Sequence, residues 1–274
     1  MPSGPRAPST PPRSALITGG TSGIGLATAR WLGQRGHGLV VTGRDPGRGQ
    51  RAEAQLRAEG AVAHFLVAEA RDAAAAGQAV AWAEREFGRL DVLVACAGAG
   101  VVAPLADTPP DLVERLLGVN VLGPLVAVQA ARALLARSRP AAIVLVSSDS
   151  GVRGDVPLGA YSVTKAAVNM MGRLLALDLA AEGIRVNVVC PGDTLPGMTH
   201  MGPLGDPEAS SADPARWTPT PMGRYAEGPE VAEVIGFLAD GRSSYVNGAV
   251  VTVDGGAGAA FGGAGVAAPP APPR

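Results

Sequence analysis

Short apolar runs alternate with longer stretches in which apolar residues recur every three or four positions. The runs have the length of buried strands and predict five of them, at 14–18, 38–42, 62–67, 91–95 and 141–146. The longer stretches predict helices, including those at 46–59, 72–87, 111–137 and 160–181. Strands that alternate with helices at this interval favour an α/β fold with a single doubly wound parallel sheet and helices on both faces.

The two ends of the chain lack this pattern. Residues 1–13 are rich in Pro and Ser, and residues 257–274 are rich in Ala, Gly and Pro. Both ends are therefore predicted to be disordered tails. The remaining residues, 14–256, are predicted to form one domain, and with 47% hydrophobic residues in 274 the chain can bury a sizeable core.

Charge and composition narrow the choice of partner. A net charge of −1 gives no electrostatic reason to expect nucleic acid or an anionic membrane surface. Gly, Pro or charged residues interrupt each apolar run, and residues 1–12 have no apolar core like that of a secretory signal. Cys96 and Cys190 lie in apolar stretches typical of buried, reduced thiols. We expect a soluble, cytoplasmic protein.

A glycine-rich segment, Thr18–Gly25, follows the first predicted strand and precedes a helix. This arrangement presents backbone N–H groups and a helix N-terminus to a pyrophosphate. The spacing is G-x-x-x-G-x-G rather than G-x-G-x-x-G, and a plain glycine turn is the alternative. The segment is thus a candidate dinucleotide site.

The residues after the second predicted strand bear on the choice of dinucleotide. A carboxylate at this point would bind the two ribose hydroxyls of NAD, but the chain has Gly43 and then Arg44. A guanidinium favours a 2′-phosphate, so NADP(H) is predicted over NAD(H). A solvated loop arginine is the alternative for Arg44, and Asp45 is close enough in sequence to offset its charge.

A tyrosine and a lysine lie four residues apart, Tyr161 and Lys165, on one face of a predicted helix. A nearby ammonium stabilises a phenolate, which would make the tyrosine useful in acid–base chemistry at neutral pH. The pair alone is weak evidence. Ser148, at the end of a predicted strand, can converge with Tyr161 at the carboxyl edge of the sheet. Asn120 lies in an apolar helix, where a satisfied core amide is the alternative to a functional role.

Taken together, these motifs resemble the short-chain dehydrogenase/reductase family, and in particular its ketoreductases. The resemblance runs from about residue 14 to 256. The motifs that carry it are Thr18-Gly-x-x-x-Gly-Ile-Gly25, Ala97-Gly98, Asn120, Ser148, Tyr161-x-x-x-Lys165, Cys190-Pro191-Gly192 and a final segment from Tyr245 to Gly256. It implies a Rossmann-type sheet, an NAD(P) cofactor, no metal, and a homodimer or homotetramer formed through the two long helices.

The resemblance also assigns roles to residues. Tyr161 would exchange a proton with the substrate oxygen, and Ser148 would hydrogen-bond that oxygen. Lys165 would lower the pKa of Tyr161 and hold the nicotinamide ribose, and Asn120 would support a water that links Lys165 to solvent. The implied cofactor-binding positions are Gly19, Ser22, Gly23, Ile24, Gly25, Arg44, Glu69, Ala70, Cys96, Gly98, Tyr161, Lys165, Pro191, Gly192 and Thr194.

Some positions depart from the family pattern. Ala95 and Cys96 stand where two asparagines are common, and Glu69 stands where an aspartate commonly contacts the adenine. The glycine segment carries Thr21 and Ser22 instead of the basic residues found in many NADP enzymes. The predicted preference for NADP therefore depends on Arg44.

The segment 193–221 is long, irregular and rich in Pro, Gly and Met, as expected for a lid over a substrate. Its candidate pocket residues are Met198, His200, Met201 and Trp217, although a surface loop histidine is the alternative for His200. Asp149, Arg153 and Asp155 are further candidates, and their charges suggest a polar substrate. The other two histidines fit no metal-ligand spacing.

Three functions are compatible with these residues. The first is an NADPH-dependent reductase that transfers a hydride to a carbonyl of a small metabolite, with Tyr161 as general acid. The second is the reverse reaction, an NAD-dependent secondary-alcohol dehydrogenase. The third, a dinucleotide-sensing protein without turnover, predicts that Ser148, Tyr161 or Lys165 would be missing, and all three are present.

Overall fold

A computed structural model describes residues 13–156, 158–196 and 220–259 of the chain. Its strands are β1 Ser14–Thr18, β2 Gly38–Gly43, β3 Ala63–Val67, β4 Val92–Ala95, β5 Ala141–Val146, β6 Ile184–Pro191, β7 Thr194–Leu195, β8 Ala226–Glu227 and β9 Val250–Val253. Its α-helices are α1 Gly23–Gly33, α2 Pro46–Ala58, α3 Ala73–Phe87, α4 Pro110–Leu117, α5 Gly123–Arg137, α6 Gly159–Leu179 and α7 Gly228–Ala239.

Seven of the strands form one parallel sheet in the order β3-β2-β1-β4-β5-β6-β9. The chain winds outward from β1 to β3 and then restarts on the other side of β1 with β4. The carboxyl ends of β1 and β4 therefore flank the crevice at which folds of this kind bind ligands. The predicted doubly wound parallel sheet is confirmed.

Helices cover both faces of the sheet. One buried cluster joins side chains of the sheet to α3, α5 and α6, and a second joins the opposite face to α1 and α7. β1, β4 and β5 are buried along nearly their whole length, because helices pack above and below them. This rigid sheet fixes the positions of the side chains at its carboxyl edge.

The helix predicted at 111–137 begins one residue earlier, at Pro110, and is less regular than expected. It comprises α4, a π-helical turn at Gly118–Leu122, and α5, and its N-cap is Pro109 rather than Asp111, which lies in the first turn. Gly118, Gly123 and Pro124 interrupt this apolar run as expected, but over Pro110–Arg137 the helix is still long and apolar enough, by length and composition alone, to cross a membrane. Within its apolar 18-residue stretch, 44% is buried inside the protein.

Other predicted elements agree closely with the structure, and some were not predicted. The five predicted strands are present within one residue at either end. β6 and α7 were not singled out from the sequence, and the last strand, β9, occupies only Val250–Val253 of the segment assigned to it. β7 lies within the predicted lid and pairs with β8, which lies just beyond the end of the lid. Residues 197–219 of the lid lie outside the described residues. Most of both predicted tails lies outside them as well.

Candidate active site

The glycine segment forms a tight turn against the end of β4. Gly19 has a φ of +67°, and a Cβ placed on it would lie 2.8 Å from the backbone of Ala97. A Cβ on Gly25 would lie 2.2 Å from the carbonyl oxygen of Gly19. Only glycine fits at these two positions, so the turn leaves bare backbone directly in front of α1.

The N-terminus of α1 is open toward this turn. Ser22 is the N-cap, its side chain makes no capping hydrogen bond, and the first turn contains no acidic residue. Gly23 and Ile24 begin the helix behind it. The free N–H groups and the helix dipole suit a diphosphate, so the loop fits the dinucleotide that the sequence predicts.

Arg44 is exposed at the end of β2, next to Gly43. Within the described part of the chain it has no ion-pair partner. The neighbouring Asp45 makes no ion pair with it among the described residues, and its carboxylate instead caps α2 by accepting a hydrogen bond from the Arg48 N–H at 2.8 Å. That hydrogen bond lowers the pKa of Asp45. The guanidinium of Arg44 is thus the positive charge that the chain presents directly beyond β2.

The predicted adenine and nicotinamide positions lie at the same edge. Glu69 follows β3 and is exposed, and Ala70 beside it packs against Gly123. Cys96 and Gly98 follow β4, where the Thr18 hydroxyl accepts hydrogen bonds from the N–H groups of Cys96 and Ala97 at 3.2 and 3.3 Å. Thr18 therefore joins the two loops that flank the crevice.

The loop after β6 completes this edge. Pro191 is buried, and the Gly192 N–H donates to the carbonyl of Val253 at 3.0 Å. The Thr194 hydroxyl donates to the carbonyl of Gly192 at 2.9 Å, which fixes the turn that leads into β7. The described residues of the predicted cofactor set thus all lie along the carboxyl edge of the sheet.

Hydrogen bonds fix the first half of α6 to the end of β5. The Lys165 Nζ donates to the carbonyl of Val146 at 3.0 Å, and the Ser147 hydroxyl donates to the carbonyl of Lys165 at 2.9 Å. One turn further, the Asn169 amide donates to the carbonyl of Gly151 at 2.9 Å. This anchoring places Tyr161 and Lys165 beside Ser148.

Lys165 is almost completely buried, with 4% of its surface exposed. Burial lowers its pKa from 10.5 to about 8, although the neighbouring thiols of Cys96 and Cys190 raise it in part. Burial also raises the pKa of each thiol to about 11, so both are protonated near neutral pH. A lysine of this kind changes charge close to physiological pH.

Tyr161 lies in the same pocket and is 6% exposed. The Lys165 Nζ lies 5.6 Å from the centroid of its ring. Burial raises the pKa of Tyr161, its hydrogen bond with Ser148 lowers it, and the charge of Asp149 raises it further. Ser148, Tyr161 and Lys165 are therefore brought together as expected, while the lowering of the Tyr161 pKa by Lys165 stays a prediction.

The side chain of Asn120 is fully buried within the π-helical turn, and turns of this type occur often at functional sites. It makes two hydrogen bonds of 2.8 Å with the backbone N–H and carbonyl of Ala99 and donates a third, of 2.9 Å, to the Thr164 hydroxyl. The amide thus connects the loop after β4 to α6 next to Lys165, and the water relay expected of it stays a prediction.

Several residues around the site were not singled out from the sequence, among them Ser147, Thr164 and Asn169. Asn169 was detectable in principle, because it follows Lys165 by four residues and so shares its helical face. The candidate pocket residues Met198, His200, Met201 and Trp217 lie outside the described residues. Among the residues the structure does describe, no group of His, Cys, Asp or Glu is arranged to hold a metal ion.

Comparison with known proteins is consistent with this geometry. Residues 19–258 match a family model described as "Enoyl-(Acyl carrier protein) reductase". The chain is 34% identical over 242 residues to 2-(S)-hydroxypropyl-CoM dehydrogenase 3 of Xanthobacter autotrophicus, covering 88% of this chain and 94% of the relative. It is 38% identical over 245 residues to cis-4-hydroxycyclohexanecarboxylate dehydrogenase of Sinomonas cyclohexanicum, covering 89% and 96%.

The fold has solved counterparts as well. A short-chain type dehydrogenase/reductase from Mycobacterium ulcerans superimposes with a TM-score of 0.81 at 28% identity, covering 92% of this chain and 91% of that one. Motifs, sheet topology and relatives agree, and the chain belongs to the short-chain dehydrogenase/reductase family, whose members are NAD(P)-dependent oxidoreductases.

Proposed function

We propose that the protein is an NADPH-dependent reductase that acts on a ketone or related carbonyl of a small polar metabolite in the cytoplasm. The observation that carries this proposal is the meeting of Ser148, Tyr161 and Lys165 in one buried pocket at the carboxyl edge of the sheet. A carbonyl reduction needs a proton donor and a group that holds the carbonyl oxygen, in addition to a hydride donor.

Each residue has a separate part in this mechanism. When bound, the nicotinamide supplies the hydride. Tyr161 gives its phenolic proton to the substrate oxygen as the carbonyl becomes an alcohol, and Ser148 fixes that oxygen in place. Lys165 holds the nicotinamide ribose and stabilises the phenolate that remains, and Asn120 helps to return a proton from solvent.

The preference for NADPH is supported by the surroundings of Arg44. Its guanidinium is exposed beyond β2, and the neighbouring carboxylate of Asp45 is engaged at the start of α2. A 2′-phosphate at this edge would find a positive charge and no carboxylate directed at it. The proposed preference for NADPH over NADH therefore depends on Arg44.

The reverse reaction, oxidation of a secondary alcohol, is the second candidate. It is favoured by the names of the relatives, which are dehydrogenases of hydroxy compounds. The same residues serve both directions. The third possibility, a nucleotide sensor without turnover, predicts the loss of Ser148, Tyr161 or Lys165, and all three are present.

A further part of the proposal is a homodimer or homotetramer formed through α6. The outer face of this helix exposes Val163, Met170, Leu174 and Leu177, with 46–76% of each side chain in contact with solvent. Positions spaced in this way form one stripe along the helix. An apolar stripe of this length favours a second copy of the chain as its cover.

The test is a measurement of NADPH and NADH consumption at 340 nm with a panel of β-ketoacyl thioesters, cyclic ketones, quinones and hydroxyketones. Wild-type protein is expected to reduce one class and to prefer NADPH in kcat/KM. Arg44→Ala is expected to lose at least ~10-fold in kcat/KM for NADPH and to change little for NADH. Equal losses with both coenzymes would refute the role of Arg44. The alcohols that correspond to the panel are tested with NAD and NADP in the same way, and a higher kcat/KM for an alcohol with NAD than for any carbonyl with NADPH would favour the second candidate.

A further inference from the structure

The serine of the site begins a short turn that packs closely against α6. Ser148 precedes the 3-10 turn Asp149–Gly151, and its carbonyl accepts a hydrogen bond from the Gly151 N–H at 3.0 Å. A Cβ placed on Gly151 would lie 2.6 Å from the carbonyl carbon of Lys165. The turn can lie this close to the helix because residue 151 has no side chain. The position of Ser148 therefore depends on how the turn is held against α6.

One side chain of α6 bonds directly to the end of this turn. Asn169, one helical turn after Lys165, is only 7% exposed, and its Nδ2 donates to the carbonyl of Gly151 at 2.9 Å. Its Oδ1 accepts from the thiol of Cys190 on β6 at 3.3 Å. Burial raises the pKa of that thiol to about 11, so it keeps the proton that it donates near neutral pH. The amide thus connects the turn, α6 and β6.

The orientation of this amide is fixed by its two partners. A backbone carbonyl can only accept, so the nitrogen of Asn169 faces Gly151 and the oxygen faces the Cys190 thiol. A buried polar network whose members are all satisfied holds the segments that it joins rigidly. The hydrogen bonds of Ser147 and Lys165 join α6 to β5, but they do not reach the end of the turn at Gly151. Asn169 supplies that connection.

We propose that Asn169 is a positioning residue that holds the turn through the Gly151 carbonyl and so keeps Ser148 where its hydroxyl can fix the substrate oxygen. This rests on the function proposed above for Ser148. Asn169 acts through the turn, and it contacts neither the substrate nor the reacting atoms. A small displacement of Ser148 would slow the reaction, because catalysis depends on the placement of the reacting groups to within about 1 Å.

The first experiment compares Asn169→Leu, which keeps the size and removes both hydrogen bonds, with a matched control. Asn187 is also fully buried, and its side chain also bonds to backbone groups, those of Val246 and Ala249, at 2.8 and 3.0 Å. It lies four residues before the end of β6, away from the turn. Asn187→Leu therefore loses a comparable buried amide without touching the site.

Turnover of the carbonyl and the dissociation constant of NADPH are measured for both variants. Asn169→Leu is expected to lose at least ~10-fold in kcat while NADPH binds within ~3-fold of wild type, and Asn187→Leu is expected to keep kcat within ~3-fold. Equal losses of kcat in the two variants would overturn the proposal, since they would show a general effect of destabilisation. An unchanged kcat in Asn169→Leu would also overturn it.

A second pair of variants moves the turn without changing Asn169, and it decides the question if Asn169→Leu does not fold. Gly151→Ala places a Cβ against the backbone of Lys165, whereas a Cβ on Gly154 would have no atom of the described residues within 4 Å. Gly151→Ala is expected to lower kcat as Asn169→Leu does, and Gly154→Ala is expected to match wild type. Wild-type kcat in Gly151→Ala would contradict the proposal.

A third comparison tests whether the effect passes through Ser148. In a Ser148→Ala background, Asn169→Leu is expected to leave the residual kcat nearly unchanged, because no hydroxyl remains to be positioned. A further loss as large as that in the wild-type background would overturn the proposal. It would show that the effect passes through Lys165 or another residue of α6.

Hydrogen exchange followed by mass spectrometry tests the turn without any turnover. The N–H groups of Val152 and Arg153 donate to the carbonyl of Asp149 at 2.9 and 3.1 Å, so their exchange reports on the turn. Asn169→Leu is expected to speed exchange over residues 148–153 at least ~10-fold, and Asn187→Leu is expected to leave it unchanged. Unchanged exchange in Asn169→Leu would overturn the proposal. If the wild type turned over no carbonyl or alcohol, the proposed function would fail, while this exchange would still decide whether Asn169 holds the turn.

Discussion

The burial of Lys165 predicts that this residue lowers the stability of the protein. Its pKa is about 8 in the folded protein against 10.5 ordinarily, with burial as the main cause. That difference corresponds to about 3 kcal/mol of stability lost when the lysine is charged in both states. Lys165→Met removes the charge and keeps most of the volume. It also loses the hydrogen bond to the Val146 carbonyl, which is worth about 1–2 kcal/mol.

The expected net result is a variant that is about 1–2 kcal/mol more stable than wild type at pH 7 and has lost its turnover. The pH dependence follows from linkage. The pKa in the folded protein is below that in the unfolded chain, so between about pH 8 and 10.5 the unfolded chain binds more protons. In this pH range, the free energy of unfolding of the wild type therefore increases with pH relative to that of the variant. The advantage of Lys165→Met should shrink as pH rises.

The assay is urea unfolding at 25 °C of both proteins at pH 7 and near pH 10. Ionisation of Cys96 and Cys190, whose pKa values burial raises to about 11, lowers the stability of both proteins near pH 10. The charge of Lys165 lowers both thiol pKa values, so this loss is larger in the variant and reduces its advantage in the same direction. A variant less stable than wild type at pH 7, or a difference that stays constant with pH, would refute the reasoning.

Three further outcomes are expected. Gly25→Ala should weaken dinucleotide binding at least ~10-fold by calorimetry, because its Cβ would lie 2.2 Å from the Gly19 carbonyl oxygen. Unchanged binding would contradict the proposal that the glycine turn holds the diphosphate. Asn120→Ala should lower the free energy of unfolding by about 2–3 kcal/mol, since it leaves the backbone groups of Ala99 without partners; a loss below about 0.5 kcal/mol would contradict this. Leu177→Glu, at a position 76% exposed, should leave only monomers in light scattering if the proposed dimer or tetramer forms through α6, and an unchanged oligomeric mass would exclude this face.

The fold was predictable because its signals are local. Each strand of the sheet interior is a short apolar run, and β1, β4 and β5 are covered on both faces, so the positions between their ends are all apolar. The glycines of the turn were predictable for the same reason, because only residues without a side chain fit at Gly19 and Gly25. By contrast, the π turn around Asn120 depends on packing against α6 and left no signal in the periodicity.

The site was predictable in its members but not in its electrostatics. Ser148, Tyr161 and Lys165 follow from motif spacing, yet the depth at which Lys165 is buried depends on the bonds that tie α6 to β5. The pairing of Asp149 with Arg153 illustrates the same limit, because both residues were pocket candidates on their charges alone and nothing in their spacing indicated that one pairs with the other. Charges buried in a folded site depend on tertiary contacts that one-dimensional patterns do not contain.

The most direct test of the central claim is the turnover of Tyr161→Phe with NADPH and the carbonyl substrate that the panel identifies. Removal of a general acid should reduce kcat by at least ~100-fold, while NADPH still binds within a few-fold of the wild-type affinity. That combination would support Tyr161 as the proton donor at this site. Turnover close to wild type in Tyr161→Phe would contradict the mechanism proposed for the protein.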